Sequence, residues 1–195
     1  SLSEEPVSAG SLHIKRVEKI CLARGMGQPL STESASWLLA SRAPDAGTAE
    51  RWPSDLKKSF KAFFDGQIDS CTAVVIDGDM VCLEEGDTSG CAYAVAVDLG
   101  VNTIAASLID MMAGTRIAEA IDTNPQIDMG AEIDSRLTMV DDDPMNLEIL
   151  SEELLLRIDI LISELCAARS ASPLHVYDIV VSGSTAMLHL FLQGV

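Results

Sequence analysis

The stretch that decides the fold is Tyr93-Ala94-Val95-Ala96-Val97-Asp98-Leu99-Gly100, which is nearly apolar on both faces until Asp98. Such a run, bounded by a glycine turn, is typical of a strand inside a sheet. A second apolar run, Thr103 to Ile109, follows after a short turn, and short connections of this kind join antiparallel neighbours. Thr115 to Ile121 repeats the pattern. The sequence therefore predicts three consecutive strands.

Helices follow these strands toward the C-terminus. After a loop at residues 124–126, Met129 to Val140 has helical spacing, with its apolar residues on one side and Arg136 on another. Leu147 to Ala168 predicts a long helix, for which Asp143 fits the N-cap and Pro144 the first helical position. The remaining predicted elements are a strand at Val176 to Val181 and a short helix at Ala186 to Leu192.

The N-terminal half predicts a smaller α+β arrangement. His13 to Leu22 fits a helix or a strand equally well, and Thr32 to Leu39 predicts a short helix. Ser54 opens an amphipathic helix. Residues 71–83 predict a hairpin around Asp77-Gly78, the strongest short hairpin signal. We predict a tail at residues 1–10, a small α+β domain at 11–90 and a second domain at 91–195 that contains a mixed sheet. The fold class is α/β.

Charge and hydropathy exclude several classes of partner. The formal net charge of −17 repels phosphate backbones, and no stripe of Lys and Arg counteracts it, so a nucleic acid is not expected. No apolar stretch reaches the roughly 20 residues that a membrane-spanning helix needs. We therefore expect a cytoplasmic protein without a membrane partner. A homodimer is compatible with the sequence.

The cysteines do not form a metal-binding pattern. They are odd in number and widely spaced, and no C-x-x-C pair occurs. Zinc and iron–sulfur sites usually bring at least one pair together by short spacing. Buried, reduced thiols are the favoured interpretation. The cysteines are Cys21, Cys71, Cys82, Cys91 and Cys166.

Two turns have the chemistry of a phosphate site. Gly100, directly after the strand that ends at Asp98, lets a backbone approach a phosphate, and the carboxylate of Asp98 can hold a magnesium ion through water. The second turn, Gly183 to Thr185, follows a strand and opens a helix, where N–H groups and hydroxyls point at an anion. A plain hairpin and a plain helix cap remain the alternatives for the two turns.

These residues also carry a resemblance to a known family. The matching stretches are Tyr93 to Gly100, Asn124-Pro125-Gln126 with Gly130-Ala131, Ser135-Arg136, and Val180 to Leu192. In this order they resemble the start of the actin-like (ribonuclease H-like) ATPase domain of reductive activators of corrinoid proteins. Residues 72–87 are similar to the small middle domain that precedes it in these activators.

The resemblance implies an ATP-driven activator that returns a cobalt(II) corrinoid protein, its partner, to cobalt(I) for methyl transfer. It implies ATP and magnesium as cofactors of the full-length protein, and an iron–sulfur cluster in a domain outside this chain. Asp98 would be the magnesium-linked carboxylate. Gly100, Asn102 and Thr103 would form the first phosphate loop. The second turn would consist of Gly183, Ser184 and Thr185.

The chain departs from the family pattern at several positions. Ser184 stands where an asparagine is common, and Asp134 stands where an apolar residue is expected. Val101 and Asn102 stand where the family usually has threonines, which removes one hydroxyl outright. The sequence also ends before the second lobe that completes a nucleotide site in the superfamily, so we expect either a fragment or a shortened relative. We therefore expect this chain alone to be inactive. The alternative hypothesis is a non-catalytic interaction module with a degenerate actin-like fold, and a small-molecule kinase of the same superfamily is a third.

Overall fold

The structure is a computed structural model that describes residues 16–23, 54–65 and 70–193. The chain divides into two compact units, Ser1–Ser89 and Gly90–Val195. The predicted tail at residues 1–10 and the predicted helix at Thr32 to Leu39 lie outside the described residues.

The first unit contains an antiparallel three-stranded sheet, ordered β1-β2-β3. Its hairpin is confirmed, because Asp77 and Gly78 adopt φ angles of 52° and 90°, as a tight two-residue turn requires. The ambiguous stretch before Leu22 ends in a strand. Buried side chains on the helix include Leu56 and Phe60. The elements are β1 (Val17–Ala23), α1 (Ser54–Phe64), β2 (Ser70–Ile76) and β3 (Asp79–Glu85).

The second unit contains a four-stranded mixed sheet, ordered β6-β5-β4-β7. The first three strands form the predicted antiparallel meander, and β7 pairs in parallel with β4. The connection from β6 to β7 runs through two helices, as a crossover between non-consecutive strands needs. The strands are β4 (Tyr93–Leu99), β5 (Thr103–Asp110), β6 (Thr115–Thr123) and β7 (Val176–Gly183), and the helices are α2 (Ile133–Asp142), α3 (Met145–Ala167) and α4 (Thr185–Phe191).

The core of this unit lies between the sheet and α3. Val95, Val97 and Leu99 alternate along β4 and are buried, whereas Ala96 and Asp98 on the opposite face are exposed. The predicted seam of α3 is confirmed, since all five of its residues are buried: Leu150, Leu154, Ile158, Leu161 and Leu165.

The start of α3 also follows the prediction. Asp143 has extended backbone angles, and its Oδ1 atom accepts a hydrogen bond from the Met145 N–H at 3.0 Å, while Pro144 is already helical. Asp143 therefore caps the helix through its side chain.

The segment before α2 corrects the prediction. Residues Pro125–Asp128 form a 3-10 helix rather than a loop, and α2 begins at Ile133 rather than at Met129. The Asn124 side chain caps the 3-10 helix, and the Gly130 N–H closes its last turn by donating to the carbonyl of Gln126 at 3.1 Å. The chain then turns before the next helix can start.

Overall, the predicted fold class is confirmed: an antiparallel sheet with a helix, followed by a mixed sheet with helices. Within the residues that the structure describes, no helix is both long enough and apolar enough to span a bilayer.

Candidate functional site

The candidate site lies where β4 and β7 end side by side. Because these two strands are parallel neighbours, their carboxyl ends meet at the same edge of the sheet. The register pairs Asp98 with Ser182 and Leu99 with Gly183. The tertiary structure thus brings the two predicted turns together, although they are more than 80 residues apart in the chain.

Asp98 presents its carboxylate at this edge. The Ser182 hydroxyl lies 3.2 Å from Asp98 Oδ1 and 3.3 Å from the Val97 carbonyl oxygen, so it can donate to either. Asp98 and Ser182 are both exposed. An exposed carboxylate keeps lone pairs available for water molecules or for a hydrated cation.

The first turn is tight and depends on Gly100. The Gly100 N–H donates to the Thr103 carbonyl at 2.9 Å. A Cβ atom at position 100 would stand 2.7 Å from that same carbonyl oxygen, so only glycine fits. Asn102 and Thr103 are exposed, whereas Val101 packs against the core. The first turn therefore offers the side chains of Asn102 and Thr103 to a ligand.

The second turn approaches the first closely. A Cβ atom at Gly183 would lie 3.0 Å from the Leu99 carbonyl oxygen, so glycine allows the two strand ends to pack. The Ser184 hydroxyl oxygen accepts a hydrogen bond from the Met187 N–H at 3.3 Å, which makes it the N-cap of α4. Thr185 is the first residue of that helix and is exposed. Ser184 therefore serves as the helix cap that its residue type predicts.

A buried polar cluster beneath the first turn was missed at the sequence level. It consists of Asn124, Gln126 and Arg136, and each has 0% exposure. Burial lowers the pKa of the Arg136 guanidinium from its ordinary value. The sequence places Arg136 on another side of its helix from the apolar residues, and that side is buried as well, because carbonyl groups satisfy its donors inside the unit.

Four contacts hold the Arg136 side chain. Nε donates to the Gly130 carbonyl at 2.7 Å, and Nη2 donates to the Val101 carbonyl at 2.7 Å. Nη1 lies 3.1 Å from Gln126 Oε1 and 3.7 Å from the sulfur of Met187. Arg136 therefore touches both the first turn and the first half of α4.

Asn124, Gln126 and Arg136 all lie in the stretches that carry the family resemblance. That shared membership is the sequence signal that could have found the cluster. Residue type alone points the other way, since Arg, Gln and Asn are usually exposed.

A cavity of about 380 Å³ lies beside the cluster, between the end of β6 and α3. Its lining includes the carboxylates of Asp122, Asp128 and Glu153 together with Arg157, which forms an ion pair with Asp122. Three carboxylates against one paired guanidinium repel a phosphate group. The cavity is therefore a poorer phosphate site than the edge of the sheet.

Four of the five cysteine thiols have raised pKa values. Burial raises the pKa of the Cys71 thiol to about 11, and burial also raises the pKa of Cys21, Cys82 and Cys166. Across residues 16–23, 54–65 and 70–193, no three His, Cys, Asp or Glu side chains are grouped as a metal site would need.

Comparisons with known proteins bear on the family and the fold. A family model described as the RACo middle region matches residues 93–194. The corrinoid activation enzyme RamQ of Eubacterium limosum is 27% identical over 101 residues, which are 52% of this chain and 17% of RamQ.

A solved structure, a reductive activator for corrinoid, iron–sulfur protein, superposes with a TM-score of 0.69 at 24% identity. It covers 91% of this chain, and this chain covers 29% of it. This likeness supports the fold of both units.

Proposed function

Since the chain belongs to the RACo middle region family, we propose that it forms part of an ATP-dependent reductive activator. The activator returns inactive cobalt(II) corrinoid proteins to cobalt(I), the state that accepts methyl groups. The names of the two relatives, one a corrinoid activation enzyme and the other a reductive activator, support a corrinoid protein as the partner. The earlier resemblance to this family is thereby confirmed at the family level.

The observation that carries the proposal is the paired strand ends. Asp98 and Gly100 at the end of β4 lie beside Ser182 and Gly183 at the end of β7. Backbone N–H groups at such turns can donate to phosphate oxygens. We assign ATP phosphates to this edge, with Asn102, Thr103, Ser184 and Thr185 as the flanking polar residues of the two turns.

The residues present are compatible with magnesium but not with an iron–sulfur cluster. Magnesium keeps several of its waters and usually takes only one or two protein carboxylates beside the substrate phosphates, so Asp98 alone is sufficient. Magnesium supplies positive charge to the phosphates. The widely spaced cysteines, without a C-x-x-C pair, do not suit a cluster. We therefore assign the electron-supplying cluster to a domain outside this chain.

Turnover is assigned to the longer protein. The chain spans 17% of RamQ and 29% of the solved activator, so most of each relative has no counterpart in it. In our proposal this chain contributes one side of the nucleotide site and is inactive alone. A cytoplasmic location, a homodimer and the lack of a nucleic-acid partner remain predictions.

The test is replacement of the magnesium-linked carboxylate. We expect Asp98→Asn to weaken Mg-ATP binding about tenfold or more, because a water-mediated contact between the carboxylate and the cation is lost. Titration calorimetry on the longer natural protein measures the affinity. The matched control is Asp134→Asn, which removes the same charge from an exposed position on α2 and should leave the affinity unchanged.

A second readout tests the activation step itself. The cobalt(II) signal of a corrinoid protein, followed by electron paramagnetic resonance with reductant and Mg-ATP, should decay with the unmodified activator and persist with Asp98→Asn. Equal decay for the two proteins would refute the role of Asp98, and decay that needs no ATP would refute the ATP-dependent activator.

The interaction-module hypothesis has one observation in its favour. Valine stands at position 101 and packs against the core, so the first turn has one fewer hydroxyl than the family loop. A module of this kind would give no heat with Mg-ATP and would still bind its protein partner. The same titration therefore separates the two functions.

A further inference from the structure

The backbone of the first turn is held from one side by the buried polar cluster. The Asn124 side-chain amide donates to the Gly100 carbonyl at 2.8 Å, and the Asn124 backbone N–H donates to the Asn102 carbonyl at 2.9 Å. Between them, Arg136 Nη2 donates to the Val101 carbonyl. Three successive carbonyl groups of the turn are thus bound by two residues.

This arrangement sets the direction of the amide groups. The structure contains no cis peptide bond among its described residues, and in a trans peptide the C=O and N–H groups point in opposite directions. The N–H groups that follow the three bound carbonyls therefore point away from the cluster. Within the described part of the chain, the N–H groups of Val101 and Asn102 donate to no protein acceptor. The turn consequently presents free donors on its outer side, as an anion needs.

A buried positive charge such as that of Arg136 is not needed merely to fill space in the core. Its nitrogen atoms contact three carbonyl oxygens and one sulfur, and no carboxylate pairs with it in the residues described. An apolar side chain of similar volume would avoid the cost of burying an unpaired cation. The cation lies behind the turn in a chain whose net charge is −17, where it partly offsets the repulsion of a phosphate.

We propose that Arg136 is a positioning residue for the first turn: its planar guanidinium bridges the Val101 carbonyl to the Gly130 carbonyl and to Gln126, and so keeps the N–H groups of the turn directed at an anion. Asn124 fixes the neighbouring carbonyls of Gly100 and Asn102 in the same way. The nature of the anion, a nucleotide phosphate, rests on the proposed function. The orientation of the turn does not.

The first experiment needs no ligand. Arg136→Lys retains the charge but loses the fork that reaches several acceptors at once. In amide NMR spectra of the full chain, we expect Arg136→Lys to shift and broaden the resonances of Gly100 to Thr103. The control is Leu161→Ala, a buried change in α3 that destabilises the same unit through a cavity and should leave those resonances in place. Equal perturbation by both variants would overturn the proposal.

The second experiment measures Mg-ATP affinity by calorimetry on the longer natural protein, under conditions in which every variant is folded. Arg136→Lys should bind at least roughly tenfold more weakly, since a charge-assisted hydrogen bond orients the donors. Leu161→Ala should stay within about twofold, because lower stability alone does not change a folded site. An Arg136→Lys variant that binds Mg-ATP as tightly as the unmodified protein would overturn the positioning role.

A further variant guards against misfolding. Asn124→Ser keeps an oxygen that can cap the Gln126 N–H but is too short to reach the Gly100 carbonyl. If Arg136→Lys does not fold, Asn124→Ser decides both experiments with the same expected direction. If the unmodified protein binds no Mg-ATP, the proposed function fails, and the ligand-free spectra alone decide whether Arg136 positions the turn.

Discussion

Gly100 is required by the backbone around it. The carbonyl oxygen of Thr103 occupies the place that a Cβ atom would take, and this oxygen belongs to the hydrogen bond that closes the turn. A side chain at position 100 therefore has to break the hydrogen bond or displace the start of β5.

We expect Gly100→Ala to lower the free energy of unfolding by about 1–3 kcal/mol, since backbone strain replaces a closed turn. Urea denaturation of the full chain measures the change. Gly90→Ala is the control, because no atom lies within 4 Å of a Cβ atom there and its effect should be within about 0.5 kcal/mol. If Gly100→Ala leaves the free energy of unfolding unchanged, the turn relaxes without cost and the prediction is wrong.

Arg136 shows what residue type cannot predict. The spacing of Ile133, Leu137 and Val140 predicted that Arg136 lies on a helix, which is confirmed. An arginine on such a helix is usually solvated. Burial depended on acceptors distant in the chain, Val101 and Gln126, which the helical pattern does not contain. A residue whose donors are satisfied by remote carbonyls can be found only once the fold is known.

The elements were predictable where one periodic pattern spans them. The seam of α3 repeats along Met145–Ala167, and β4 to β6 are runs of strand length separated by turns that contain glycine. The helix boundaries before α2 were less predictable. Asn124 caps a 3-10 helix where a loop was predicted, and α2 begins at Ile133, four residues later than predicted.

The seam of α3 should account for much of the stability of the second unit. Leu161 is 1% exposed and contributes to the core between α3 and the sheet. We expect Leu161→Ala to cost about 2–5 kcal/mol, from lost burial and the cavity left behind. Leu155→Ala, at a position that is 50% exposed, should change the free energy of unfolding by less than about 1 kcal/mol. If urea denaturation shows similar losses of unfolding free energy for both variants, the seam does not account for the stability of the unit.

At the scale of the whole molecule, each of the two units has a core of its own. In the second unit the buried cluster runs from Val95 to Leu190. The units meet in sequence between Ser89 and Gly90. The predicted domain boundary between residues 90 and 91 stays a prediction that an experiment can test.

We expect residues 90–195, produced alone, to fold, because their core is made by their own elements. Circular dichroism should show helix and strand, and urea should unfold the fragment in one cooperative transition. The intact chain, measured in parallel, supplies the reference spectrum and midpoint. A fragment without a cooperative transition would show that the second unit needs residues before Gly90.

The sequence by itself determined the strands and α-helices of the second unit in their order, the turns after Asp98 and at Gly183, and the resemblance to corrinoid activators. Periodicity, turn chemistry and motif order are local properties of the chain. Only the tertiary structure decided that β7 lies parallel beside β4, which places Asp98 next to Ser182. It also decided that Arg136 is buried beneath the first turn. Both facts depend on hydrogen bonds between residues far apart in sequence, and no local pattern specifies such partners.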